Sequence, residues 1–330
     1  MPGVAPIESI PAAPDADKAA VKTLLNDMLE AKQSGKTQAI QDARDKLNAL
    51  REKLGGEKLK EILNKLIEDA SGQFLELLKR LLKEWFPDDD TAPPVSPSPS
   101  PSPRGGGGGS RVNPADFGPR ESMSNKPITE GSKHFNYKPD TTNPGKKPDN
   151  IWSGFSQGPD GNCVTVSAIK AAMMRYGQKP TDVFKEVKET SAGYDVTMRD
   201  GFKLSLTRNE VREAATHARF KGDDPAMMTD ANFMYAASAK RAQMENNDGT
   251  AGRSFMAAMN SLNDGEYSRE GLDRLGLRGL YRPATDADLR SSKVGTVEYG
   301  GHSMAVINGR VELWGQRGGV PNSGIATVLI

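Results

Sequence analysis

Apolar residues recurring at three- and four-residue steps mark the first part of the chain as helical. Val21, Leu24, Leu25, Met28 and Leu29 paint one stripe, which Ser34-Gly35-Lys36 interrupts. Ile40, Ala43, Leu47, Leu50 and Leu54 form a second, ended by Gly55-Gly56 as glycine ends helices. Leu59, Ile62, Leu63, Leu66 and Ile67 form a third. After Ser71-Gly72 a fourth carries Phe74, Leu77, Leu78, Leu81, Leu82, Trp85 and Phe86, before Pro87 and three aspartates. The pattern predicts a small all-helical module over residues 16–87. Lys79, Arg80 and Lys83 on the last run would also suit a membrane surface, but burial of its broad apolar face inside the bundle is the expectation.

Elsewhere the periodicity lapses. Residues 1–15, with Pro2, Pro6, Pro11 and Pro14, are expected to be disordered. Residues 88–112 read as a linker: Ser-Pro repeats from Ser96 to Pro103 favour an extended polyproline conformation, and the glycines from Gly105 to Gly109 make a flexible joint. Residues 113–150, rich in Pro, Asn and Lys, read as a poorly ordered lead-in that wraps the next domain. From residue 151 to the end, helical patches alternate with turns and strands, so an α+β domain is expected. Phe233, Tyr235, Ala236, Ala239 and Met244 suggest one helix there, and Phe255, Met256, Met259 and Leu262 another, with the methionines as core filling. The window from His302 to Trp314 reads as a strand, an Asn308-Gly309 turn and a second strand.

Composition narrows the functional classes. Hydrophobic residues are 36% and charged residues 26%, lean for one compact body of 330 residues. A net charge of +1 argues against a dedicated nucleic-acid binder. A single cysteine excludes an intrachain disulfide and any thiolate metal cage. No stretch approaches the ~20 apolar residues that span a bilayer. Residues 1–20 lack the basic start and apolar run of a cleaved signal, so a cytoplasmic location or export by another route is expected. Asp223-Asp224 and Asp286 to Asp288 lack the alternation of a calcium loop, and no phosphate-cradling glycine motif occurs. No metal or cofactor is expected.

The lone cysteine carries the chemistry. Gly158-Pro159-Asp160-Gly161 forms a tight turn, and directly after Cys163 a helix begins, with Val164, Ala168, Ile169, Ala172 and Met173 on one face. A thiol at a helix amino terminus meets free backbone N–H groups and a partial positive charge, which favour the thiolate. Gln157, six positions upstream, is placed to donate beside the Cys163 N–H and complete an oxyanion hole. A thiolate nucleophile needs a base, usually histidine. His134 falls in the lead-in and His217 in a polar helix-like run, whereas His302 opens an apolar strand after two glycines and is the preferred base.

The Gln-Gly-x-x-Gly-Asn-Cys arrangement of residues 157–163 resembles the nucleophile segment of papain-like and calpain-like cysteine proteases. The Gly-His-Ser-Met-Ala-Val strand, followed by Leu313-Trp314-Gly315, is similar to their histidine strand and the Trp-Gly beyond it. The resemblance implies a helical lobe carrying Cys163, a β-rich lobe carrying His302 and a cleft between them. It also implies Gln157 in the oxyanion role. The family places Asn or Asp near the Trp-Gly to orient the imidazole; here Gln316, and second Glu312, take that place. A three-residue loop with a glycine bulge would put Glu312, Trp314 and Gln316 on His302's face, and a two-residue turn would put Leu313, Gly315 and Arg317 there. A Cys-His-Gln set resembles the cycle-inhibiting-factor deamidases, so amide hydrolysis of side chains stands beside peptide cleavage.

The layout, a helical module and long linker before a hydrolase domain, is similar to bacterial effectors delivered into host cells, and the module to harpin-type proteins. That likeness implies type III secretion, a secretion chaperone and a protein substrate in a host cell. The competing expectation is a non-catalytic protein whose helical module binds a partner or membrane.

Overall fold

The computed structural model describes residues 13–34, 36–68, 70–85, 117–291, 293–299, 302–322 and 324–330. Residues 1–12 and the linker at 88–112 lie outside these, as do Gly300 and Gly301. The chain divides into two units, Met1–Asp88 and Asp89–Ile330.

Among its described residues the first unit holds four helices: α1 (Ala13–Gln33), α2 (Thr37–Leu54), α3 (Gly56–Glu68) and α4 (Gly72–Trp85). Each apolar stripe becomes core. Val21, Leu25, Met28, Ile40, Leu47, Leu59, Leu63, Leu66, Leu77, Leu78 and Leu81 are all buried. The amphipathic face is what holds such short helices, since isolated ones are marginal in water. No helix among the described residues is long and apolar enough to cross a membrane.

The second unit is α+β with antiparallel sheets. In chain order it contains β1 (Thr129–Glu130), α5 (Cys163–Tyr176), α6 (Pro180–Val183), β2 (Glu186–Glu189), β3 (Gly193–Thr197), β4 (Lys203–Thr207), α7 (Arg208–Ala218), β5 (Lys221–Gly222) and α8 (Pro225–Met244). There follow α9 (Phe255–Asn263), α10 (Glu270–Arg274), β6 (Tyr281–Ala284), α11 (Asp286–Arg290), β7 (Gly295–Tyr299), β8 (His302–Ile307), β9 (Arg310–Leu313), β10 (Gln316–Arg317) and β11 (Ile325–Leu329). The main sheet runs β10-β9-β8-β7-β11-β6, a smaller one runs β2-β3-β4, and β1 pairs with β5.

Strand alternation gives the main sheet two dry faces. Ala305 and Ile307 join the large core with α5 and α8, while Met304 and Val306 join Val297, Val311, Leu313, Ala326 and Val328 on the other side. α5 lies against the first of these faces and is buried on all sides, every residue from Val164 to Met173.

Two expectations are corrected. Residues 117–150, read as poorly ordered, form a strap fixed to the domain. Glu121 exchanges backbone hydrogen bonds with Arg317, at 2.8 and 3.0 Å, and Asn232 Nδ2 donates to the carbonyls of Gly131 and His134. The buried Tyr137 ring lies 4.1 Å from that of Phe233, and Lys179 pairs with Asp140 at 2.7 Å. The second correction is the β8–β9 loop. Val306 faces Val311 and Ile307 faces Arg310, so the turn has two residues, with Asn308 and Gly309 at φ 51° and 75°. Those positive values are what an Asn-Gly hairpin turn supplies, and they match the twist of the strands. The three-residue loop does not form.

Candidate functional site

Cys163 is the first residue of α5 and is half-buried, with no disulfide. Asn162 stands where a capping side chain would, yet it makes no cap bond. Its fully buried amide is drawn away instead, donating to the Ala218 carbonyl at 3.0 Å and to Asn263 Oδ1 at 3.1 Å. No Asn162 cap therefore competes for the first-turn N–H groups beside the thiol. The turn before it is pinned from outside: Gly161 N donates to Asn263 O, and Arg219 pairs with Asp160 at 3.2 Å. Gly158 permits this packing, because a Cβ there would lie 1.9 Å from the Arg219 carbonyl oxygen.

Gln157 is half-buried, and its Nε2 donates to Asp160 O at 2.6 Å, across its own turn. One donor of the expected oxyanion group is thus held within the turn.

The helix that Cys163 opens and the sheet that holds His302 are bonded to each other. One turn after Cys163, Ser167 Oγ lies 2.7 Å from Ser303 Oγ, on the residue after His302. One turn further, Lys170 Nζ lies 3.2 Å from Glu312 Oε1 on β9. Continuing the observed register sets Glu312 opposite Ala305. Moving forward along α5 therefore moves forward along β8, and Cys163 and His302 stand at the same end of the two elements. Glu298, paired with Ser303 across β7, adds a buried carboxylate to this face.

His302 is buried and opens β8. Strand alternation turns its ring to the side of Met304 and Val306, away from α5. There it stacks on Trp314, with centroids 4.3 Å apart and planes at 15°. Trp314 reaches that position because its own φ is 44° and that of Gly315 is 92°. This left-handed corner breaks the alternation that would have carried the indole to the opposite face. Burial alone pushes the imidazole pKa down to about 4, so the ring is neutral at neutral pH.

The two candidates for the third position separate. Glu312 lies on the α5 side, paired with Lys170 and accepting from the Gly315 N–H. Gln316 pairs with Leu313 across β10 and so shares His302's side of the sheet; it is half-buried. Of the other histidines, His217 lies in the last turn of α7 and offers its carbonyl to Asn263, and His134 sits in the strap.

Sequence reasoning missed Ser167, Lys170, Ser303 and the Asn162–Asn263 pair. The available signal was a lysine in the middle of an otherwise apolar helix. It also missed a cluster of carboxylates beside the turn that precedes Cys163. Asp248, Asp264 and Glu266 bring oxygens within 4.8 Å of one another, and Asp264 bridges Gly161. Among the described residues this is the group that could hold a cation.

The fold and site define an α+β domain in which a cysteine opens a buried helix packed on an inner strand of an antiparallel sheet. Compared with known proteins, the chain matches no family model, no curated protein and no solved structure.

Proposed function

We propose that residues 151–330, held by their strap, form a papain-like cysteine hydrolase acting on protein amide bonds, with Cys163 the nucleophile and His302 the base. The observation that carries this reading is the Ser167–Ser303 bond, which sets the start of α5 beside the start of β8. In this reading the His302 ring, on the far face of the sheet but at the very start of β8, meets the thiol around that end, and the Cys163 thiol gives it its proton as sulfur attacks the amide carbonyl. The oxyanion forms where the α5 amino terminus and the second N–H of the Gln157 amide can meet it. The amine leaves with the proton from His302, and water, activated by the same imidazole, releases the acid from the thioester.

A depressed imidazole pKa keeps this base unprotonated down to low pH, although it also weakens it as a proton acceptor. The acid limb of activity is therefore expected near pH 4 to 5, below the ~6.5 of an ordinary histidine.

A second reading, side-chain deamidation by a Cys-His-Gln set, is favoured by the position of Gln316 on His302's side of the sheet. One experiment addresses both. Candidate proteins are exposed to wild-type and Cys163→Ala protein and examined by mass spectrometry. A new cleavage product supports peptide hydrolysis. A gain of about one dalton, amide to acid in one hydrolytic step, supports deamidation. Neither product, together with Cys163 alkylation no faster than a peptide thiol, would leave the non-catalytic binding protein as the answer.

A further inference from the structure

Lys170 is completely buried at the middle of α5. Its ammonium donates to the carbonyls of Ile151 and Trp152 at 2.8 and 2.9 Å and faces Glu312 at 3.2 Å, with the Phe155 ring 4.9 Å away. These partners belong to separate parts of the site. Ile151 and Trp152 root the segment that carries Gln157. Glu312 lies on β9, just before the turn that holds Trp314. Lys170 itself rides on the helix that Cys163 opens. Glu312 also accepts the N–H of Gly315, within the left-handed corner that lays the indole on the His302 ring.

We infer that Lys170 is a positioning residue: through Glu312 it locks the Trp314-Gly315 corner, and with it the orientation of His302 relative to the helix of Cys163. The inference rests on the Cys163–His302 reading. The pair takes over indirectly the role that an Asn or Asp beside the imidazole has in the family the site resembles. Stability does not explain it. Buried ion pairs replaced by apolar residues of similar volume are often neutral or even stabilising.

That property makes the test clean. Iodoacetamide alkylation of Cys163 in the full chain is followed against pH, from about 4 to about 9, for wild type, His302→Ala, Lys170→Arg and the double variant Lys170→Met with Glu312→Leu. Expected is a loss of ~100-fold at neutral pH for His302→Ala. The double variant should lose ~10- to 100-fold with its melting temperature retained, as displaced catalytic groups do. Its profile should move to that of an ordinary thiol near pH ~8.5, while Lys170→Arg keeps most of the wild-type rate. If the double variant keeps the wild-type rate and profile while His302→Ala is slow, the positioning role is wrong and the dyad stands. If His302→Ala is as fast as wild type, the dyad fails and this inference falls with it. Should the double variant not fold, Glu312→Gln decides. It retains an acceptor for Gly315 but not the charge, and an unchanged rate and profile overturn the inference.

Discussion

Two titratable groups, buried His302 and half-buried Asp230, pull the pH response of the second unit in opposite senses. His302 binds its proton near pH 6.5 when unfolded but only near pH 4 when folded. Between those values the unfolded chain takes up a proton that the folded one refuses. Its contribution is complete above about pH 6.5 and is lost as pH falls toward 4. Asp230 on α8 behaves the other way. Burial, reinforced by the charges of Asp224 and Asp140, raises its pKa from 3.8 to about 7, although Gln178 donates to it. Its folded form keeps a proton that the unfolded chain has released, so stability is lost as pH rises from 3.8 to about 7. Thermal melts should therefore show Asp230→Asn more stable than wild type at pH 8 by ~2–8 °C, the gap closing below about pH 4. His302→Gln should flatten the acid side instead. Wild type, carrying both, should be flatter between pH 4 and 7 than Asp230→Asn.

At the level of elements, the β8–β9 turn decides which residues meet α5. Inserting one glycine after Gly309 would move Glu312 to the other face and strand Lys170 in the core. Urea unfolding should show a loss of ~3–5 kcal/mol, the cost of breaking a buried pair, with Cys163 alkylation falling as well. Parity was also where the sequence was ambiguous, because Asn308-Gly309 serves either loop length and nothing in a strand's period announces which. The four stripes of the first unit, the helix after Cys163 and the strand after His302 were legible, because burial repeats in them at 3.6 or 2 residues. The strap was not. Its anchors are scattered single contacts, such as the Asn232 bond to the Gly131 carbonyl, the Tyr137 ring on Phe233 and the Lys179–Asp140 pair, which leave no period. Nor was the reach of Trp314, since a left-handed φ at a tryptophan runs against its own steric preference and is imposed by the corner.

For the molecule as a whole, the two units carry separate cores. Calorimetry on the full chain should show two transitions, and a fragment of residues 113–330 should reproduce one of them unchanged. A fragment starting at residue 151 should not. It would strip Tyr137 from Phe233 and Tyr194, remove Glu121 from Arg317 and uncover the edge of the main sheet. Its melting temperature should fall well below that of the longer fragment, or it should be recovered aggregated, as bare strand edges invite.

The indole lying flat on the imidazole has an optical consequence. A protonated ring would become a cation held against the π-face of Trp314, and such an imidazolium drains the excited indole of its light. Dimming of Trp314 emission on acidification, absent in His302→Gln, would let the charge on this one histidine be followed in a cuvette, before any substrate is known.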